Sequence, residues 1–156
     1  MSDKETIEKL KEKYGTVLKL SSEDGTTTTY CRKPSYATFI AYQDKYKDNV
    51  HEAILFLFKE CVLSDENYDD DFMLSCGNSI VAMIKASSEF SIDATPQKDE
   101  YKKSAAIIRH AFHVDPYALP IDEFYKLLEE ALWIQKHNAA KLENTFMTAF
   151  AKTFSN

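Results

Sequence analysis

Residues 63–72 read LSDENYDDDF and hold five carboxylates with no basic residue among them. Asp65, Asn67 and Asp69 fall on the first three ligand positions of a helix–loop–helix calcium loop. That loop needs glycine at its sixth position for a sharp turn and a bidentate glutamate at its twelfth. Asp70 and Cys76 stand there instead, so two ligand oxygens are missing. The same acids suit the start of a helix. There Asp69, Asp70 and Asp71 accept hydrogen bonds from unpaired amides and offset the positive end of the helix dipole. Helix start is therefore the reading, with an acidic docking surface as the alternative.

His110 and His113 stand three apart beside Asp115, a spacing that can face one metal from a helix. No cysteine or second acidic cluster is near in sequence to complete such a site. Histidines at a helix end, close to the negative pole of its dipole, are the simpler reading. Asp122-Glu123 and Glu129-Glu130 are paired carboxylates, but Lys126 sits among them at helical spacing and the set reads as a solvated face. The chain carries no GxSxG, P-loop, GxGxxG or HExxH motif. No nucleophile, base and orienting group can be assembled. The expectation is a protein that is not an enzyme, with no catalytic residue, no cofactor and no metal.

The elements that must position these residues are mostly helical. Ser2 and Glu5 make a capping box, Ile7, Leu10 and Tyr14 recur at helical spacing, and Gly15 supplies a stop, so residues 3–14 form a short amphipathic helix. Asp24-Gly25 marks a hairpin turn between strands 16–21 and 26–32, and Pro34 ends the second. A lone hairpin is marginal and must lean on helices or on another strand. Ser35 caps a helix bearing Tyr36, Phe39, Ile40 and Tyr42. Residues 49–63 carry the broadest apolar stripe, from Val50 to Val62. Phe72, Met73, Cys76, Ile80, Met83 and Ile84 line the next helix. Gly77 within it costs about 1 kcal/mol against alanine, which points to a close helix contact. SSEFSIDATP at 87–96 reads as a linker. It divides the chain into 1–90, a hairpin with a helical core, and 91–156, a helical extension packing on that core or on a partner.

Thr95 caps a following helix with Pro96 at its first position. HVDPYALP breaks it. The remainder, from Ile121, is helical in pattern to the end. Phe124, Leu127, Leu128, Ala131 and Ile134 share one face, and Leu142, Phe146, Ala149 and Phe150 share another, with Asn138 as a bend or break between them. The fold class is thus α+β and mainly α-helical: an N-terminal helix and β-hairpin followed by a bundle of about five helices.

Bulk properties narrow the function. At 156 residues and 44% hydrophobic content, one domain with a sizeable core fits, with at most a small appendage. A net charge of −6 argues against a binder of nucleic-acid backbones. Cys31, Cys61 and Cys76 have no CxxC spacing and read as reduced thiols in a cytosolic protein. The charged N-terminus is no signal peptide, and the longest apolar run, AILFLF at 53–58, is too short to span a bilayer. Aromatics make 13% of the chain, and most belong to the core. Phe146, Phe150 and Phe154, four apart at the C-terminal end, either pack back on the domain or bind another chain.

Three stretches carry a resemblance: LKEKYGTVLKL, then EDGTTTTYCRKPSYATF, then ILFLFKECVLSDENYDDDFMLSCGNSIVAMI. Together they resemble small proteins of tailed bacteriophages of gut Bacteroides-type hosts, through Tyr14-Gly15, the Tyr30 to Pro34 step and Asp69 to Phe72. The order of elements is also similar to that of phage tail assembly chaperones, whose C-terminal extension has a segment similar to DPYALPIDEFYKLLEEALWIQ. The similarity covers roughly residues 6–86 and, more loosely, 104–136; the long charged tail of many such extensions is missing. The resemblance implies a non-enzymatic protein of the host cell cytoplasm. It would bind the tape-measure protein or other tail proteins through apolar helical surfaces, with self-association a further option and neither nucleic acid nor membrane as partner. The expected partner-binding residues are Tyr36, Tyr42, Tyr125, Trp133, Phe146, Phe150 and Phe154. The alternatives are a structural virion component, such as a connector or tail-completion protein, and an anti-defence or host-takeover binding protein.

Overall fold

The computed structural model describes the backbone of residues 3–89 and 98–154, and side chains over 4–86 and 100–151. Among these residues the chain forms six helices and one two-stranded sheet. The fold is α+β and mainly helical, as the patterning predicts. Helix α1, Asp3–Tyr14, stops where the Gly15 amide donates to the Lys11 carbonyl at 2.9 Å and Gly15 turns to φ 72. Strands β1, Val17–Ser21, and β2, Thr28–Arg32, pair antiparallel from Val17↔Arg32 to Ser21↔Thr28. Asp24 holds the turn between them. Its carboxylate accepts from the Ser22 hydroxyl and from the Thr26 amide at 3.0 Å, and these bonds keep it ionised down to about pH 2. The capping pair Ser2–Glu5 and the Thr95–Pro96 start lie wholly or partly outside the described residues.

The hairpin does not stand alone. On the far edge of β2, the Leu63 amide donates to the Tyr30 carbonyl at 2.8 Å, and Val62 bridges Cys31. Thr29, fully buried, accepts from the Tyr68 hydroxyl at 3.0 Å. The segment leading into the acidic stretch is thus fastened to the sheet.

Helices α2, Tyr36–Asp48, and α3, Val50–Cys61, are each started by a side chain: Ser35 accepts from the Thr38 amide, and Asn49 from the His51 and Glu52 amides. Helix α4, Asp70–Glu89, begins where Asp69 Oδ1 accepts from the Phe72 amide at 2.8 Å. The acidic stretch is a helix start. Helix α4 runs through 87–89, so the expected linker begins later. Helix α5, Lys98–Phe112, ends as the His113 amide donates to the Arg109 carbonyl at 3.0 Å, with His113 itself at φ 58 in the left-handed region. His113 therefore caps the helix and does not share a helical face with His110.

Helix α6, Ile121–Phe154, is one unbroken element of 34 residues, about 50 Å long at 1.5 Å per residue. Of the bend or break expected at Asn138, the break does not occur. Asn costs only a few tenths of a kcal/mol in a helix interior, too little to stop a helix already nucleated upstream.

The core joins both parts of the chain. Leu57, Phe58 and Ile80 from the first part and Ile108, Ile121 and Phe124 from the second are all buried in one cluster. The strap Tyr117–Ile121 pairs with Pro34–Ala37: Tyr36 N–H donates to Leu119, Ala37 N–H to Tyr117, and Ile121 N–H to Pro34. A Lys33–Asp122 ion pair sits beside it. Gly77 fulfils its expected role, because a Cβ there would lie 2.5 Å from Ile54 Cγ2 and 2.8 Å from the Ile54 carbonyl oxygen. A backbone oxygen cannot rotate away, so α3 and α4 would have to separate. Gly77→Ala is expected to destabilise by about 1–2 kcal/mol, overpacking outweighing the gain in helix propensity. Urea unfolding measures it; equal or greater stability would mean the helices are not in contact there.

Candidate protein-binding surface

The seven expected partner-binding residues divide by position. Tyr36 is fully buried, its ring stacked on Phe124 with centroids 3.4 Å apart and its hydroxyl donating to the Tyr101 carbonyl at 3.1 Å. Tyr42 is buried beside Tyr46, and Tyr125 packs edge-on to Phe124. These three are interior residues, not partner contacts, and the expectation is corrected for them. Each has the apolar body of a core residue, and Tyr36 is covered by Phe124 of α6, which its local sequence does not reveal. Burial raises the hydroxyl pKa of all three, that of Tyr125 to about 12.

Trp133, Phe146 and Phe150 are exposed. The side chain of Phe154 lies outside the described residues. Every residue from Gln135 to Ala151 is exposed, so the second half of α6 projects beyond the helices that pack on its first half, chiefly α4 and α5. Leu142 is 70% and Phe146 73% exposed. Their direction is set by the body. Leu142, Phe146, Ala149 and Phe150 each lie eighteen residues beyond Phe124, Leu128, Ala131 and Leu132, which is five full turns at 3.6 residues per turn. The two sets therefore share one face and not two, as an unbroken helix requires. The stripe that seats α6 in the core continues outward, in the same direction, with no helix over it among the described residues.

The projecting half carries two apolar strips. At about 100° per residue, Ala149, Leu142, Phe146 and Phe150 form one face, and Met147, Ala140 and Trp133 the next. Lys136 and Glu143 lie between these two faces, so they are two apolar strips divided by a charged line, each within the ~100° that one packed neighbour needs. Thr145 and Thr148 lie opposite, their hydroxyls turned back to the carbonyls of Lys141 and Asn144 at 2.8 Å.

The three cysteines are buried. Burial pushes the Cys31 and Cys61 thiols up to about 12 and raises Cys76. Among the described residues no three His, Cys, Asp or Glu side chains converge on a point, and no helix is long and apolar enough to cross a membrane. A shallow cleft between Arg32, Lys33 and Pro120 is lined by Asp122 and Glu123, acids that offset its bases. The buried thiols have a measurable consequence. Their folded-state pKa lies above the unfolded value of about 8.5, so their contribution to stability is complete below that pH and is lost as pH rises toward 12. Native protein should resist a thiol reagent at pH 8 until denaturant is added; rapid labelling of all three cysteines would contradict their burial.

No family model, curated protein or solved structure matches the chain.

Proposed function

We propose that the protein is a non-enzymatic binding protein, similar in action to a phage tail assembly chaperone, that shields apolar helical stripes of the tape-measure protein or of other tail proteins. The observation that carries this reading is the stripe of Leu142, Phe146 and Phe150, exposed on α6 in line with the face that packs in the core. A helix of this kind recognises another amphipathic helix as α6 recognises α5, by interlocking side chains at i, i+3, i+4 and i+7. A long client with bare apolar stripes would aggregate alone. The chaperone's net charge of −6 keeps the shielded complex soluble.

The test is co-expression of the tagged chain with the tape-measure protein of the same genome. The reading expects soluble complex from the pair, insoluble client alone, and no copy of the chain in purified virions. Its presence in virions at fixed stoichiometry would favour a structural component, and client solubility unaffected by the chain would remove the chaperone reading.

A further inference from the structure

The outward side of α6 carries a second seam. Trp133, Ala140 and Met147 recur every seven residues, with His137 and Asn144 between them. Trp133 is 64% and Met147 68% exposed, and the Trp133 ring stacks on His137 with centroids 5.2 Å apart. The seam lies about a third of a turn from the buried Phe124–Leu128 face. Lys126, Glu129 and Glu130, on the body's part of this side, are exposed as well, so this side of α6 faces solvent beyond the arm too.

We propose that a second copy of this chain covers this seam, the two α6 helices running antiparallel with the two-fold axis beside residues 138 and 139. The charges select this arrangement. Lys136 and Glu143 flank the seam on one side and, being seven apart, occupy equivalent positions. Neither has an opposite charge three or four residues away on its own helix; those places hold Leu132, Trp133, Ala139, Ala140, Phe146 and Met147. In an antiparallel pair, flanking positions on this side face the same flank of the other helix. With the axis at 138–139, Lys136 of each copy meets Glu143 of the other, twice per dimer.

Sliding by one heptad in either direction sets Glu143 against Glu143 or Lys136 against Lys136. A parallel pair sets Lys136 against Lys141 of the second copy. Among these arrangements, only the antiparallel pair with its axis at 138–139 escapes like-charge contact. In that register Trp133 packs beside Asn144 and Ala140 beside His137 of the other copy, the small Ala140 letting the helices approach. The surface is self-complementary, as a two-fold interface requires. It leaves the Leu142–Phe146 face open for a client, so each of the two strips has its own neighbour.

Sedimentation velocity of the full chain over a range of micromolar concentrations tests this. The expected result is a reversible monomer–dimer equilibrium. Glu143→Lys and Lys136→Glu should each raise the dimer Kd by about tenfold, since two opposite-charge contacts become like-charge ones. The double variant, Lys136→Glu with Glu143→Lys, should restore it. These positions are exposed, so far-UV circular dichroism should not change. A monomer at every concentration, single variants that dimerise as well as the parent, or a double variant no better than the singles would overturn the proposal. Client capture runs through the other face. Phe146→Asp should leave the dimer intact and the charge variants should leave capture intact, so failure of one proposal is not failure of the other.

Discussion

Phe146→Asp should weaken capture of an apolar helical client by about thirtyfold or more, the ~2 kcal/mol expected for a central aromatic contact. The unfolding curve should not move. Phe146 is the most exposed large apolar side chain on α6, so a carboxylate there costs the isolated fold nothing that water does not return. Leu142→Asp, one turn earlier on the same face, should act in the same direction. Binding measured by titration calorimetry, beside thermal unfolding of the same samples, separates the two effects. A variant that binds as the parent does would remove the stripe from the function. One that unfolds early would mean that α6 folds back on the domain.

The opposite profile is expected at Phe124, five turns inward of Leu142 and near the start of the same stripe. Phe124 is buried, stacked on Tyr36 and in edge contact with Tyr125. Phe124→Ala removes a ring where α6, α2 and α5 meet, a loss of about 3–5 kcal/mol from cavity and transfer effects together. Against a total stability of about 5–15 kcal/mol for a domain, much of the folding free energy disappears. Chemical denaturation should show a large fall in midpoint, and the projecting helix should lose its anchor. A loss below about 1 kcal/mol would mean the Tyr36–Phe124 stack does not tie α6 to the domain.

The same contrast explains what could be read from the sequence. Features set by a few neighbouring residues were legible: Ser35 as a cap, Asp69–Asp71 as a helix start, Asp24-Gly25 as the hairpin turn, Gly77 as a close approach. Each depends on local hydrogen bonding or on the missing Cβ. The exposure of aromatic rings was not legible in that way. Tyr36 and Tyr42 look like Trp133 and Phe146 in composition and spacing. Tyr36 is interior because Phe124, far along the chain, lies on it, and no local pattern announces that pairing.

The break expected at Asn138 had a second effect, because it separated two apolar sets that one continuous helix places on a single face. The eighteen-residue offset between Phe124–Leu132 and Leu142–Phe150 was present in the sequence as a signal for the projecting stripe. The cap at His113 carried a weaker sign, Asp115-Pro116 just beyond it.

A projecting helix has its own energetics. An isolated segment the length of 135–154 is marginal in water, since nucleation is unfavourable. In α6 the nucleus already exists, because residues 121–134 are held by α4 and α5 and the helix need only propagate. Ala139, Ala140, Lys141 and Leu142 favour propagation, while Thr145 and Thr148 oppose it mildly. The arm is thus a helix whose order a partner can strengthen.

Hydrogen–deuterium exchange over residues 138–151, with and without the proposed tape-measure client, addresses this most directly. Exchange should be fast in the chain alone at submicromolar concentration, and slow by at least tenfold when the client is bound, with the core amides of α3 unchanged. Equal exchange in both samples, or full protection of 138–151 in the chain alone, would contradict a function carried by the exposed stripe of α6.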